Sequence, residues 1–253
     1  MKIFIPTTGL AERIFTYKVF DSDIKLTWVC HRAEDVPRVM EGKAMDDYLI
    51  SNAKDYIEQL YFIHSQVKEG EWYIKADDNI RAFIGDDGNA LSNARAWQEI
   101  NEAINEAEKR GAKLVGFAPV DNPFFRKTKY RDVGYCIGKM YAEKRTAEIA
   151  PEGIVRVMDD YERTAQHLLR YGKVLVSNAL HSKSKHYEKG GIGTYEDRLP
   201  AKLKDAGYLT TKYPDLFRFK AKRNCETKAE LQVRFTSTTQ VDQWRLQMRR
   251  LSK

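Results

Sequence analysis

An α/β protein built on a mostly parallel central sheet, flanked by helices, is what this sequence predicts, on two observations. Short β-branched and aromatic runs alternate along the chain with amphipathic stretches of helical period, the pattern of successive βα units. The apolar runs also end in polar, turn-forming clusters, Thr7-Thr8-Gly9 and Asp77-Asp78-Asn79 among them, and open α/β sheets carry their ligands beyond such strand ends. A chain of 253 residues stands where single cores stop growing, at about 250–300 residues, so one domain over residues 1–253 is the expected count.

The elements follow in order. Residues 2–7, Lys-Ile-Phe-Ile-Pro-Thr, read as a first strand, and Leu10 to Phe20 as a helix after the Thr-Thr-Gly turn. Ile24 to Cys30 is a second strand. From Lys43 to Lys68, Tyr48, Leu49, Tyr56, Leu60, Ile63 and Val67 recur at helical spacing, which predicts one long helix stopped by Gly70. Glu71 to Ala76 is then a strand that delivers Asp77-Asp78-Asn79 at its carboxyl end. Ser92 to Arg110 is a helix, with Ser92 as N-cap and Gly111 as its stop. Lys113 to Pro119, Val133 to Tyr141 and Ile154 to Met158 are further strands. Asp159 to Tyr171 opens on two carboxylates and closes on Gly172, as helices do. After a strand at Lys173 to Asn178, the polar, glycine-bearing stretch from His181 to Pro200 reads as a long functional loop. Thr236 to Arg250 is a terminal amphipathic helix.

Composition narrows the function classes. A hydrophobic fraction of 42% with 14 Tyr, 11 Phe and 4 Trp is that of a folded chain. No run approaches the ~18 apolar residues that span a bilayer, and the first residues lack the form of a secretory signal, so a cytoplasmic location is expected. Cys30, Cys136 and Cys225 are odd in number and far apart, which points to reduced packing residues rather than disulfides or a zinc site. The net charge of +7 is unevenly placed: residues 201–253 hold 13 Lys+Arg against 5 Asp+Glu, and the first 200 residues are nearly neutral. Such a gradient suits a C-terminal face that meets a polyanion, and equally a solvated basic surface.

The Asp77-Asp78-Asn79 cluster is the first candidate site. Adjacent carboxylates repel unless a hard cation neutralises them, and Mg²⁺ or Mn²⁺ takes one or two carboxylates together with phosphate oxygens. An Asp-Asp-Asn turn or cap is the plainer alternative, and Asp86-Asp87-Gly88-Asn89 is a rival turn nearby. Neither a Walker loop nor a G-x-G-x-x-G run is present, which removes the usual ATP and NAD fingerprints. Phe124, Phe125, Arg126, Tyr130 and Arg131 combine aromatic and basic side chains after a strand, the chemistry that stacks on bases and follows a phosphate backbone. Lys183 and Lys185, with Gly190 and Gly191 beside them, could meet phosphates, although a flexible surface loop explains them as well.

The opening from Ile5 to Arg13 resembles the nucleotide-binding start of GT-A glycosyltransferases. Taken with Asp77-Asp78-Asn79, Gly134-Tyr135, residues 158–164 (Met-Asp-Asp-Tyr-Glu-Arg-Thr), residues 186–193 (His-Tyr-Glu-Lys-Gly-Gly-Ile-Gly) and Trp244-Arg245, the chain resembles the TET/JBP-associated glycosyltransferases, mostly phage-encoded, over nearly its whole length. That resemblance implies a GT-A-like fold, a nucleotide-sugar donor such as a UDP-sugar, a divalent metal, and 5-hydroxymethylpyrimidine in DNA as acceptor. It further implies a nucleotide-sugar-binding part over about residues 1–120 and an acceptor-binding part beyond it. Thr7, Thr8 and Arg13 would line the nucleotide, Asp77 and Asp78 would hold metal and diphosphate, and Asn79 would shape the turn. Asp160, with Asp159 beside it, would take the proton from the acceptor hydroxyl. A late histidine, His181 or His186, would join the metal. Tyr135, Tyr187 and the loop at 183–191 would face the acceptor. A DNA-binding protein without catalysis, or a GT-A enzyme with a protein or glycan acceptor, are the competing readings.

Overall fold

The computed structural model describes residues 1–7, 14–40, 47–149, 153–184, 194–220 and 229–251. Its strands are β1 (Lys2–Thr7), β2 (Leu26–Cys30), β3 (Asp47–Ile50), β4 (Trp72–Ala76), β5 (Ile80–Gly85), β6 (Leu114–Phe117), β7 (Tyr130–Arg131), β8 (Met140–Lys144), β9 (Leu175–Ser177), β10 (Leu180–Ser184), β11 (Phe217–Phe219) and β12 (Leu231–Val233). The helices are α1 (Val36–Met40), α2 (Tyr56–Ser65), α3 (Asn93–Arg110), α4 (Asp159–Tyr171), α5 (Tyr195–Lys212) and α6 (Thr238–Leu251). Eight strands form the main sheet in the order β3-β2-β1-β4-β8-β6-β9-β7. Pairings among β3, β2, β1 and β4, and that of β6 with β9, are parallel, while β8 and β7 run against their neighbours. This is the mostly parallel, helix-flanked sheet that the sequence predicts, and strands from both halves of the chain share it.

Two apolar clusters cover the two faces, because successive strand residues point to opposite sides. Phe4, Tyr73, Tyr141 and Val176 face Leu60 and Ile63 of α2, Leu168 of α4, Leu209 of α5 and Trp244 of α6. Ile3, Ile5, Ile74, Ala142 and Phe117 face Ile100, Ala103 and Ala107 of α3. Such double coverage explains why the central strands read as continuous apolar runs. Helix ends follow their local chemistry: Ser92 caps α3 through the Arg95 amide, and Gly111 and Gly172 close α3 and α4 at φ 72° and 77°, left-handed values that favour glycine.

Several expectations need correction. The long helix over Lys43–Lys68 is two elements: Asp47–Ile50 pairs in parallel with β2, and the helix begins only after Asp55, whose carboxylate accepts from the Glu58 amide at 3.0 Å. Asn52, at φ 50°, breaks the chain between them. Edge pairing thus takes a run whose apolar spacing also suits a helix. Of the helix expected over Leu10–Phe20, residues 14–20 carry only a 3-10 turn at Thr16–Lys18, and residues 10–13 lie outside the described residues. The strand expected at Val133–Tyr141 starts at Met140. Ile154–Met158 is a turn held by Asp205 of α5, whose Oδ2 accepts from the amides of Arg156, Val157 and Met158 at 2.9, 2.8 and 3.2 Å. The stretch from His181 to Pro200 contains β10 and the start of α5 rather than a single loop.

Candidate functional site

The carboxyl ends of parallel β1 and β4 lie side by side, and the chain beyond β4 is pinned there by its backbone. The Asp78 carbonyl accepts from the amides of Phe15 and Thr16 at 2.8 and 3.1 Å. The Thr16 hydroxyl donates to the Asp77 carbonyl at 2.5 Å and accepts from the Ile80 amide at 3.0 Å. The Asp77 amide donates to the Lys139 carbonyl, next to the start of β8, at 2.7 Å. The backbone of the turn is thus held by main chain and one hydroxyl, while the Asp77 side chain accepts from Lys75 and that of Asp78 is hydrogen-bonded to Thr7. The rival turn differs: Asp87 spends its carboxylate on Asn89, accepting from the amide and the side chain at 2.9 Å each.

The charges around the pair are unusual for strand ends. Lys75, fully buried in the middle of an apolar strand, donates to the Asp77 carboxylate and to the Gly138 carbonyl at 2.7 Å, with its ammonium 5.2 Å from the centre of the Tyr56 ring. Thr7, at the end of β1, hydrogen-bonds the Asp78 side chain, yet burial, with Asp77 adding to it, pushes the Asp78 carboxyl up to about 7. Burial also raises Asp159, which opens α4, while Arg163 and Lys75 pull it back and Asp77 pushes it up. Asp77, Asp78, Asp159 and Lys75 thus form one electrostatic unit at the strand ends.

The neighbouring aspartate is placed differently. Asp160 accepts from the Tyr135 hydroxyl, from the Gly138 amide at 3.0 Å and from the Tyr161 amide at 2.9 Å. Burial, with Asp159 next to it, raises its carboxyl to about 6. Asp159 Oδ2 has no hydrogen bond among the described residues, Arg163 Nη2 standing 3.7 Å away. Asp205 anchors the turn that leads into α4, and Asp160 itself accepts from the first-turn amide of Tyr161.

His181, on β10, is 7% exposed, and its Nδ1 lies 2.7 Å from the Ala118 carbonyl. Burial lowers its pKa, so the ring is neutral, donates from Nδ1 and keeps the Nε2 lone pair. Among the described residues, no three His, Cys, Asp or Glu side chains are grouped to hold a metal. Asp77 and Asp78 supply two carboxylates, the number that a hard divalent ion would take alongside phosphate oxygens. A cation there would relieve what holds Asp78 near 7.

Among the expected acceptor residues, Phe124 and Phe125 are each 67% exposed and meet edge to face at 5.2 Å, with the Lys127 ammonium 4.9 Å from the Phe124 ring centre. Arg126 is buried and serves as the anchor of that loop, donating to the carbonyls of Ile84, Gly85 and Asp121. Its guanidinium is unavailable to an acceptor. Tyr135 stacks on Tyr161 at 4.3 Å and commits its hydroxyl to Asp160. Lys183 and Arg131 are exposed. Thr8, Arg13, Lys185, His186, Tyr187, Gly190 and Gly191 lie outside the described residues.

Sequence reasoning missed Lys75, Lys139 and the buried set around Glu143. Glu143 of β8 accepts from Tyr73 at 2.5 Å, Arg163 at 2.8 Å and the His167 ring at 3.0 Å. The available signal was a charged residue inside an apolar strand run, as in Trp72-Tyr73-Ile74-Lys75-Ala76, where an unpaired charge is costly.

Fold and site together define an α/β protein with an acidic cluster, tempered by buried lysine, at the ends of its parallel strands. No family model and no curated protein matches the chain. Among solved structures, a CMP:2-keto-3-deoxy-manno-octonic acid synthetase complexed with CTP is similar over 83% of this chain and 98% of that one, at 9% identity and a TM-score of 0.43, too loose an overlap to carry ligand or activity.

Proposed function

We propose that the protein is a nucleotide-sugar-dependent glycosyltransferase that moves a sugar from a nucleoside diphosphate, with UDP as the carrier, to the hydroxyl of a 5-hydroxymethylpyrimidine in DNA. One observation carries the reading: Asp77, Asp78 and Asp159 converge with buried Lys75 beyond the carboxyl ends of β1 and β4, where an α/β sheet of this kind takes its ligand. Asp77 and Asp78 would hold a divalent ion, Mn²⁺ or Mg²⁺, which would supply positive charge against the departing diphosphate. Thr7 fixes Asp78. As the acceptor oxygen attacks the anomeric carbon, the bond from that carbon to the diphosphate oxygen breaks, and the hydroxyl proton passes to an α4 aspartate, with inversion. Asp159, whose Oδ2 has no hydrogen bond among the described residues, takes that proton, and Asp160 fixes Tyr135 and Gly138 beside it.

The DNA acceptor rests on the family resemblance, on the basic residues 201–253 and on the exposed Phe124–Phe125 pair with Lys127, which suits an unstacked base. Incubating the protein with hydroxymethylated DNA, Mn²⁺ and a panel of nucleotide-sugars, then weighing the released nucleosides, tests donor, acceptor and reaction together. A hexose or pentose mass increment on the hydroxymethyl nucleoside is expected. Donor hydrolysis without DNA modification would move the acceptor to a glycan or protein, and no donor turnover with any acceptor would reject the transferase.

A further inference from the structure

Lys139 immediately precedes β8, and its backbone is part of the site: its carbonyl accepts from the Asp77 amide, and the carbonyl of Gly138 before it accepts from Lys75. Its side chain is 7% exposed. An ammonium has three donors and, when buried, ordinarily spends them on acceptors. Among the described residues Lys139 makes a single side-chain hydrogen bond, to the Ser182 carbonyl of β10 at a long 3.4 Å, and no carboxylate stands within the 4.0 Å of an ion pair. Asp77 and Asp121 are the acidic groups that it feels, with His181 beside it on β10. Buried Lys75 is the contrast, since it is matched by Asp77 and by Gly138. A cation withdrawn from water, held rigidly by its backbone and left mostly unsatisfied, is a poor structural choice that an incoming anion would correct.

We propose that Lys139 is an anion-binding residue of the same site, which takes a phosphoryl oxygen of the donor's diphosphate between the end of β4 and β10. This rests on the nucleotide-diphosphate reading above and adds to it a cation from the protein itself. As the sugar leaves, negative charge grows on the diphosphate, and a fixed ammonium beside it stabilises the departing group without reorganising.

Calorimetric titration of wild type, Lys139→Met and Lys139→Arg with UDP and with inorganic pyrophosphate, each with and without Mn²⁺, tests this, accompanied by melts of the ligand-free proteins. Lys139→Met should weaken both probes at least tenfold, with and without the metal, and should melt no lower than wild type, because it replaces an unsatisfied buried charge by an apolar side chain of similar length. Lys139→Arg should recover part of the affinity. Unchanged affinity of Lys139→Met for both probes, in a wild type that binds them, would overturn the inference alone. Weaker binding together with a lower melting temperature and no recovery in Lys139→Arg would also overturn it, as the mark of a structural lysine. A wild type that binds neither probe would instead sink the donor-site reading beneath it.

Discussion

Glu143 and Asp78 are both carboxylates largely withdrawn from water, and their surroundings treat them in opposite ways. Burial by itself would raise Glu143, but the Arg163 guanidinium, His167 and the Tyr73 hydroxyl hold it down at about 2. Asp78, beyond the end of β4, has Thr7 as its hydrogen-bonding side chain and another aspartate next to it, and rises to about 7. The first centre is a completed ion network between the sheet and α4. The second has cations on one side and an unmet need for positive charge on the other. Satisfaction, more than burial, separates the two carboxylates.

The largest expected effect lies at the completed centre. Glu143→Ala leaves Arg163 buried without its main partner and should cost about 3–5 kcal/mol of stability, read by chemical denaturation. A loss under about 1 kcal/mol would erase the distinction between the two regions. Next is Asp78→Asn, which should reduce transfer at least a hundredfold, about 2.7 kcal/mol in the barrier, while unfolding no more easily than wild type at pH 8. The two centres also differ in the sign of their pH dependence. Asp78 has a folded pKa above its unfolded value of 3.8, so its favourable contribution is complete below about pH 4 and disappears as pH rises through 7. Glu143 has a folded pKa below its unfolded 4.5, so its contribution is complete above that value and disappears as pH falls toward 2. Between pH 4.5 and 8, Asp78→Asn should therefore flatten the decline in stability that wild type shows, as followed by melts across that range.

The smallest expected effect is at the exposed aromatic pair. Phe124→Ala should weaken binding of single-stranded DNA by about 1 kcal/mol, at the low end of aromatic–base stacking, without changing the affinity for UDP. Equal loss of both affinities would show that the loop acts on the donor site.

Much of this was legible in the sequence because it is local. Strand ends, the Ser92 cap, the glycine stops of α3 and α4, and the carboxylate pair after β4 are written in contiguous residues. The split of residues 43–68 into β3 and α2 was not, since whether Tyr48-Leu49-Ile50 pairs with β2 depends on an edge that only the assembled sheet provides. Other partners of Asp77 and Asp160 were hidden for the same reason: Lys139, Gly138 and Tyr135 reach them through sheet pairing and crossings between segments far apart in the chain, unlike Lys75, two residues before Asp77. Asp205, which holds the turn leading into α4, is more than forty residues from that turn.

The account turns on Asp77 and Asp78 gripping a nucleoside diphosphate, and the melting temperature with and without UDP and Mn²⁺ tests this most directly. At a hundredfold excess over its dissociation constant, a ligand of the folded state adds about 2.7 kcal/mol. Wild type should therefore melt several degrees higher with both present, and Asp78→Asn should shift far less. An upward shift in Asp78→Asn as large as that of wild type would contradict the assignment.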